Sequence, residues 1–390
     1  MRFTSKLAAL TAVLAITLAV PASADEELKI GAIAPLSGGG SVWGLGLVRG
    51  VEIAIDEVNA AGGIKADGKT YKLKAVSFDD QLNAAQAKTA AERLVDQEKV
   101  KYIIGPSGTP GNLGSIPVTQ PAKVIQFVDG YAPTILKNEW KGAYTFRIAI
   151  TNREIGPPFV DWVKQTMPAV KKVGIIAPND AVGQMATPFL IETYKKAGID
   201  VWVDYYERGT KEFTPLLLRM LSQNVDLFDL NANPPGEAGL LIKQARQIGF
   251  RNKIVQSGGA GLDEIIQIAG PAAEGFIKYD YFDDTADSAK PFIAEYAKRH
   301  SGPMSSVLPI FYNATMILIE GIRRAESLDT TKVRDAIEKM GGWDSRLFGK
   351  LTWTGEAEYG VNHQILLPFY LKEVKDGKST LLTKIVPKSE

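Results

Sequence analysis

The sequence contains no cysteine in 390 residues. That absence excludes disulfides, thiolate metal sites, cysteine nucleophiles and a lipid-modified N-terminal cysteine. A chain of this size can still bury enough surface to fold without cross-links. Histidine is scarce as well: His300 and His363 are the only two, and both lie in ordinary contexts far along the chain. Serine-triad hydrolysis therefore has little to work with. Gly105-Pro-Ser-Gly-Thr begins like a GxSxG nucleophile elbow but lacks the second glycine in register. There is also no excess of one charge, with 45 basic against 44 acidic side chains, and no basic patch that would attract nucleic acid. After Val20 no apolar run is long enough to span a bilayer, so stable membrane insertion is not expected. No metal cluster and no cofactor fingerprint is present, so no metal, no cofactor and no enzymatic step is expected.

What the chain does have begins with an export signal. Arg2 and Lys6 form a basic head, Leu7 to Val20 an apolar core, and Ala22-Ser-Ala24 a small-residue cleavage site. Residues 1–24 read as a signal peptide. An exported chain without a lipid anchor or a membrane span needs a second membrane to retain it, which points to the periplasm of a Gram-negative cell. The remaining 366 residues, with 43 basic and 44 acidic groups, suggest two domains.

The stretch from Leu28 to Ile64 organises the rest. An apolar run (Leu28, Ile30, Ala32, Ile33) breaks at Pro35, and a glycine- and serine-rich loop from Ser37 to Gly46 carries one large aromatic, Trp43. A helix is expected from near Leu47, with Val48, Val51, Ile55 and Val58 on one face. It ends at Asn59-Ala-Ala-Gly-Gly, where glycine accepts the left-handed C-cap. Strand, loop and helix open a parallel α/β sheet whose loops at the strand carboxyl ends hold ligands. The loop is not a nucleotide cradle: Gly44-Leu-Gly-Leu-Val-Arg-Gly has the wrong spacing and no Lys-Ser/Thr follows. A solvent loop with a stray tryptophan is the bland alternative. The run IGAIAPLSG…G…G…G…AIDEVNAAGGI, however, closely resembles the N-terminus of type I periplasmic binding proteins of the leucine/isoleucine/valine-binding family, the extracytoplasmic receptors of ABC importers.

Further motifs follow in order. Asp79 and Asp80 end a strand beginning at Tyr71, where carboxylates ordinarily cap turns. Asn83 is expected to cap a helix running to Gln97. After the strand Lys101 to Gly105, Thr109 and Pro110 read as an N-cap and first helical residue. The amides and hydroxyls around Ser107, Gly108 and Thr109 would then favour an anion. The resemblance implies that this loop grips a ligand carboxylate through Thr109, and that a second loop completes the site. That second loop reads Asp129, Gly130, Tyr131 instead of the family's small residues and threonine. Beyond Thr151 a second βαβα series is expected, with ligand loops containing Asn179 and Val182, Asn233, and Gly258.

The resemblance implies α/β architecture: two doubly wound parallel-sheet lobes joined by a three-strand hinge. Residues 25–148 plus 282–349 would form the first lobe and 149–281 plus 350–390 the second. It implies hinge closure over a small-molecule ligand, delivery to ABC permease subunits and a monomeric receptor. Amino-acid binders of the family place an acidic residue at the end of the strand Lys253 to Gln256, to meet the ligand's ammonium; here Ser257-Gly258-Gly259 follows. A tyrosine common in the first second-lobe loop is also missing, with Ala181 and Val182 in its place. An uncompensated buried ammonium is costly, so the expected ligand is a carboxylate with an apolar or aromatic body. Two alternatives stay open: an amino acid whose ammonium meets Asp129, and a receptor that hands its closed form to a membrane signalling protein.

Overall fold

The structure, a computed structural model, describes residues 26–137, 139–259 and 262–387. The expected signal peptide, and Ala260 and Gly261 of the loop after Gln256, lie outside the described residues. In the first lobe come β1 (Glu26–Ala34), α1 (Ser41–Ala60), β2 (Ile64–Ala66), β3 (Lys69–Asp79), α2 (Ala84–Glu92), β4 (Tyr102–Ile104), α3 (Thr109–Thr119), β5 (Ile125–Val128) and β6 (Thr145–Arg147). The second lobe holds α4 (Asn152–Thr166), β7 (Lys172–Pro178), α5 (Ala181–Lys196), β8 (Asp200–Tyr206) and α6 (Thr214–Leu221). It continues with β9 (Leu227–Asp229), α7 (Pro235–Gln247), β10 (Lys253–Gln256), α8 (Leu262–Ala269) and β11 (Ile277–Asp280). The chain then returns through α9 (Lys290–Arg299), α10 (Leu308–Ala325) and α11 (Thr330–Glu338). It finishes with β12 (Asp344–Ser345), β13 (Gly349–Lys350), β14 (Trp353–Thr354), α12 (Glu356–Tyr359), β15 (Gln364–Ile365), β16 (Phe369–Lys375) and β17 (Lys378–Ile385).

Two large sheets result, in the orders β14-β15-β6-β5-β4-β1-β3-β2 and β17-β16-β11-β10-β9-β7-β8, beside a small β12-β13 pair. Both have a parallel core, with antiparallel strands at both edges of the first and at the β16-β17 edge of the second. In β1, Ile30 and Ala32 pack into one cluster while Ile33 packs into another, so both faces of the strand are covered by helices. That explains why β1 reads as a nearly continuous apolar run instead of an alternating one.

Two expectations are corrected. The helix expected near Leu47 starts at Ser41, after a 3-10 turn at Gly38–Gly40, so the second half of the glycine-rich segment forms its opening turns and Trp43 stands on a helix. The glycines serve close packing there. A Cβ on Gly44 would lie 2.1 Å from the Pro35 carbonyl oxygen, and one on Gly50 would lie 2.7 Å from that of Leu308 on α10. Sequence reasoning took glycine as a helix breaker, its ordinary local cost, and tertiary contact overrode it.

The second correction concerns the last crossing. Residues 350–365 were expected in the second lobe, but β14 and β15 belong to the first sheet. Gln364 pairs in register with Arg147 and donates to the Ala149 carbonyl at 2.9 Å, and the Trp353 ring lies 5.2 Å from that of Phe146. The chain therefore crosses after β6, after β11 and again between β15 and β16. Beside these crossings Lys372, only 3% exposed, donates to Asp280 Oδ2 at 3.1 Å and to Asp284 Oδ1 at 3.0 Å.

Candidate ligand site

The N-terminus of α3 is built by Gly108, which caps the helix with φ +91°, a left-handed conformation that favours glycine. Thr109, expected as the cap, is instead the first helical residue. Its hydroxyl oxygen accepts from the Tyr131 amide at 2.9 Å and ties the two first-lobe loops together. Its own hydroxyl proton stays available to donate. Gly130 is required next to it: its amide donates to Asn112 Oδ1 at 2.7 Å, and a Cβ would lie 2.1 Å from that oxygen.

Asp129 turns toward the same helix end. Ser107 Oγ donates to Asp129 Oδ2 at 2.7 Å and the Gly108 amide donates to Oδ1 at 2.6 Å. Burial pushes its pKa up to about 6, against the pull of the Gly108 and Ser107 hydrogen bonds, which favour the charged form. The donors expected to meet a ligand carboxylate thus already hold a carboxylate of the protein. Asp79 and Asp80 do cap turns: Asp79 accepts from the Leu36 and Gln81 amides at 2.8 Å, and Asp80 from the Leu82 amide at 3.0 Å.

The loops Ser107 to Thr109 and Asp129 to Tyr131 line a small cavity of about 40 Å³ between the lobes. From the first lobe Trp43, Ser107, Gly108, Thr109, Asp129, Gly130 and Tyr131 reach it, joined by Val307 ahead of α10. Facing them are Val182 at the start of α5, Ala232 and Gly259 from loops after β9 and β10, and Tyr281 from the crossing after β11. The walls are mostly apolar and aromatic. Asp129 is the sole carboxylate among the described lining residues, and no lysine, arginine or histidine is among them.

Tyr131 spans the cleft. Its hydroxyl sits against that of Tyr279, lies 3.0 Å from that of Tyr281 and accepts from the Gly259 amide at 3.2 Å. A second contact joins the lobes, where a Cβ on Gly39 would lie 2.9 Å from Glu237 Oε2 on α7. Tyr131→Phe should therefore weaken ligand binding about three- to tenfold, as the loss of roughly one hydrogen bond that exists only with the lobes together. Titration calorimetry beside wild type checks this, and an unchanged Kd would remove the tyrosine's role in closure.

Three expected site residues stand elsewhere. Asn179 donates to Glu207 Oε1 and accepts from Gln184, both at 2.7 Å, on the exposed side of its loop. Asn233 is fully buried and holds its own turn through the carbonyls of Ile176 and Leu230 at 2.7 and 3.0 Å. Gly258 points away, with a Cβ reaching within 2.8 Å of Asn231 Oδ1; its neighbour Gly259 lines the cavity instead. Each lay on the right loop, but only the path of the backbone decides which residue of a loop turns inward. Tyr281 had a weak signal in its alternation with Tyr279, whereas Val307 had none.

A profile described as periplasmic binding protein matches residues 27–379. A Leu/Ile/Val/Thr-binding protein of Salmonella typhimurium is 25% identical over 365 residues, covering 89% of this chain and 94% of its own length. Among solved structures, a leucine binding protein from Thermotoga maritima superposes with a TM-score of 0.81 at 23% identity, covering 92% of this chain and 99% of that one. A solute binding protein of an ABC transporter from R. palustris, in complex with benzoate, superposes with a TM-score of 0.79 at 20% identity, covering 93% and 98%. These two likenesses concern the fold. The profile match over nearly the whole described chain carries the assignment: the chain belongs to the periplasmic binding protein family, in its type I leucine/isoleucine/valine-binding branch of extracytoplasmic, non-enzymatic solute receptors for ABC import.

Proposed function

We propose that this receptor captures a small carboxylate with an apolar or aromatic body, closes over it and presents the closed form to an ABC permease. The observation that supports the ligand class is the lining of the cleft. Trp43, Tyr131, Val182, Tyr281 and Val307 offer flat and aliphatic surface, and among the described lining residues the second lobe contributes no acidic group to meet an α-ammonium. In the second lobe Asp229 is fully buried and committed to the Ser257 amide at 3.0 Å and the Tyr194 hydroxyl at 2.9 Å. The positive end of α3 faces the cavity and favours an anion there. The benzoate complex in R. palustris is a precedent for this fold around an aromatic carboxylate. In this reading residues 1–24 direct export to the periplasm of a Gram-negative cell, and the receptor works as a monomer.

A second reading is favoured by one group: Asp129 lines the cavity and can accept from an ammonium, which keeps an amino acid in play. A thermal-shift screen separates the two. One panel holds branched and polar amino acids, and the other aromatic and short aliphatic carboxylates without an amino group. A ligand at about 100 times its Kd should add about 2.7 kcal/mol. Stabilisation by the second panel is the expected result, and stabilisation by the amino acids alone would overturn the carboxylate reading while leaving transport intact.

A further inference from the structure

We propose that a carboxylate ligand enters this cleft together with one proton, shared between its own carboxylate and that of Asp129, so that Asp129 makes the receptor selective for carboxylates in mildly acidic surroundings. The inference rests on the carboxylate reading above and concerns how such a ligand is held.

The geometry leaves few ways to seat a second anion. The Ser107 hydroxyl and Gly108 amide, the natural donors of an anion loop, each already donate to an oxygen of Asp129 at 2.7 and 2.6 Å. A ligand carboxylate at the end of α3 therefore lands beside Asp129. No cation among the described lining residues neutralises the pair. The helix dipole supplies only about half a positive charge. Two carboxylates sharing a dry site cannot both stay ionised, so one keeps a proton, which then bridges them.

The other groups facing Asp129 do not relieve this. Asp80 lies behind α3, where a Cβ on Gly111 would come within 2.4 Å of its Oδ2, and that oxygen has no hydrogen-bond partner. Burial raises the Asp80 pKa to about 7, and any charge it carries opposes a further anion. Tyr131 from the Asp129 loop and Tyr279 and Tyr281 from β11 and its crossing are held neutral, chiefly by burial. Trp43 of α1, Asn112 of α3, Val182 of α5 and Val307 ahead of α10 carry no charge. Burial already lifts Asp129 to about 6, so supplying the proton costs little in mildly acidic medium.

The proton balance gives the sign. A carboxylate approaching Asp129 raises that group's pKa further in the complex. Below about pH 6 the free receptor already carries the proton, and binding takes up none. Above that pH one proton is taken up on binding, and affinity falls about tenfold per pH unit until the complex itself loses the proton.

The test is titration calorimetry of the mature protein with benzoate as probe, between pH 5.5 and 8.5, in buffers of different ionisation enthalpy. Wild type should take up about one proton near pH 8 and show the tenfold decline. Asp129→Asn, which donates an amide hydrogen to the ligand and cannot titrate, should bind benzoate with a Kd independent of pH, and more tightly than wild type at pH 8. A flat wild-type profile without proton uptake would overturn the proposal and leave the carboxylate reading standing. A decline that persists in Asp129→Asn would also overturn it, because the receptor would then be selecting the neutral acid through other groups. Failure of both proteins to bind benzoate, phenylacetate or hexanoate at any pH would remove the carboxylate reading itself. The buffer comparison on wild type decides the matter even if the variant folds poorly.

Discussion

Lys372→Met should destabilise the protein by about 3–5 kcal/mol, the cost of leaving a buried carboxylate without its counter-charge. Lys372 sits on β16 beside a chain crossing, 3% exposed, and donates to Asp280, itself 7% exposed in its side chain, and to the more open Asp284. Burial disfavours its ammonium, yet the attraction of Asp280 and Asp284 more than offsets this and holds its pKa above the usual lysine value. Without the lysine, Asp280 keeps, among the described residues, a long hydrogen bond from the Phe282 amide at 3.4 Å and the more distant attraction of Lys278. Lys278, fully buried on the neighbouring strand and pushed by burial down to about 8, donates to the Tyr279 carbonyl at 2.9 Å and offers no replacement hydrogen bond. Urea unfolding of the single variant and of Lys372→Met combined with Asp280→Asn measures the effect. Removing both charges should recover much of the loss, since replacing a buried pair outright is often close to neutral. A single-variant loss below about 1 kcal/mol would show that water reaches Asp280 freely.

Trp43→Ala should weaken ligand binding about ten- to a hundredfold while leaving a folded protein. The ring is 8% exposed and stands on the first turn of α1, with one face in the core and one toward the cleft. Removing the face that a ligand covers forfeits on the order of 1.5–3 kcal/mol of apolar burial. The core face adds a stability loss of about 3–5 kcal/mol. Trp43→Phe keeps a flat wall and should recover most of both. Binding measured by calorimetry, with unfolding followed in parallel, separates the two effects, and normal affinity in Trp43→Ala would place the ligand elsewhere in the cleft.

Much of this molecule was legible before its structure. The alternation of strand and helix patterns, the Asn83 cap, and the family motif at 30–64 all appear where the residues put them, with Asn83 accepting from the Ala85 amide at 2.8 Å. The loop after β4 read as a possible anion loop from its capping residues, and the loop after β5 as its partner only through the family resemblance. Element starts were less readable. The glycines at 44 and 46 read as loop, but each stands where α1 packs closely on another segment, Gly44 on the Pro35 backbone and Gly46 on the Ser305 side chain.

The sequence by itself determined the class of the protein. Periodicity sets which segments are strands and helices, and the resemblance carried by residues 30–64 implies the binding role. Tertiary structure alone decided what the cleft offers a ligand. Whether Asp129 pointed into the cavity, whether Ser107 and Gly108 stayed free, and whether Tyr131 reached Gly259 depend on groups separated by 21, 22 and 128 positions in the chain. The first two are set by how neighbouring loops of one lobe pack and the third by how the two lobes close, and no local pattern of residues encodes either.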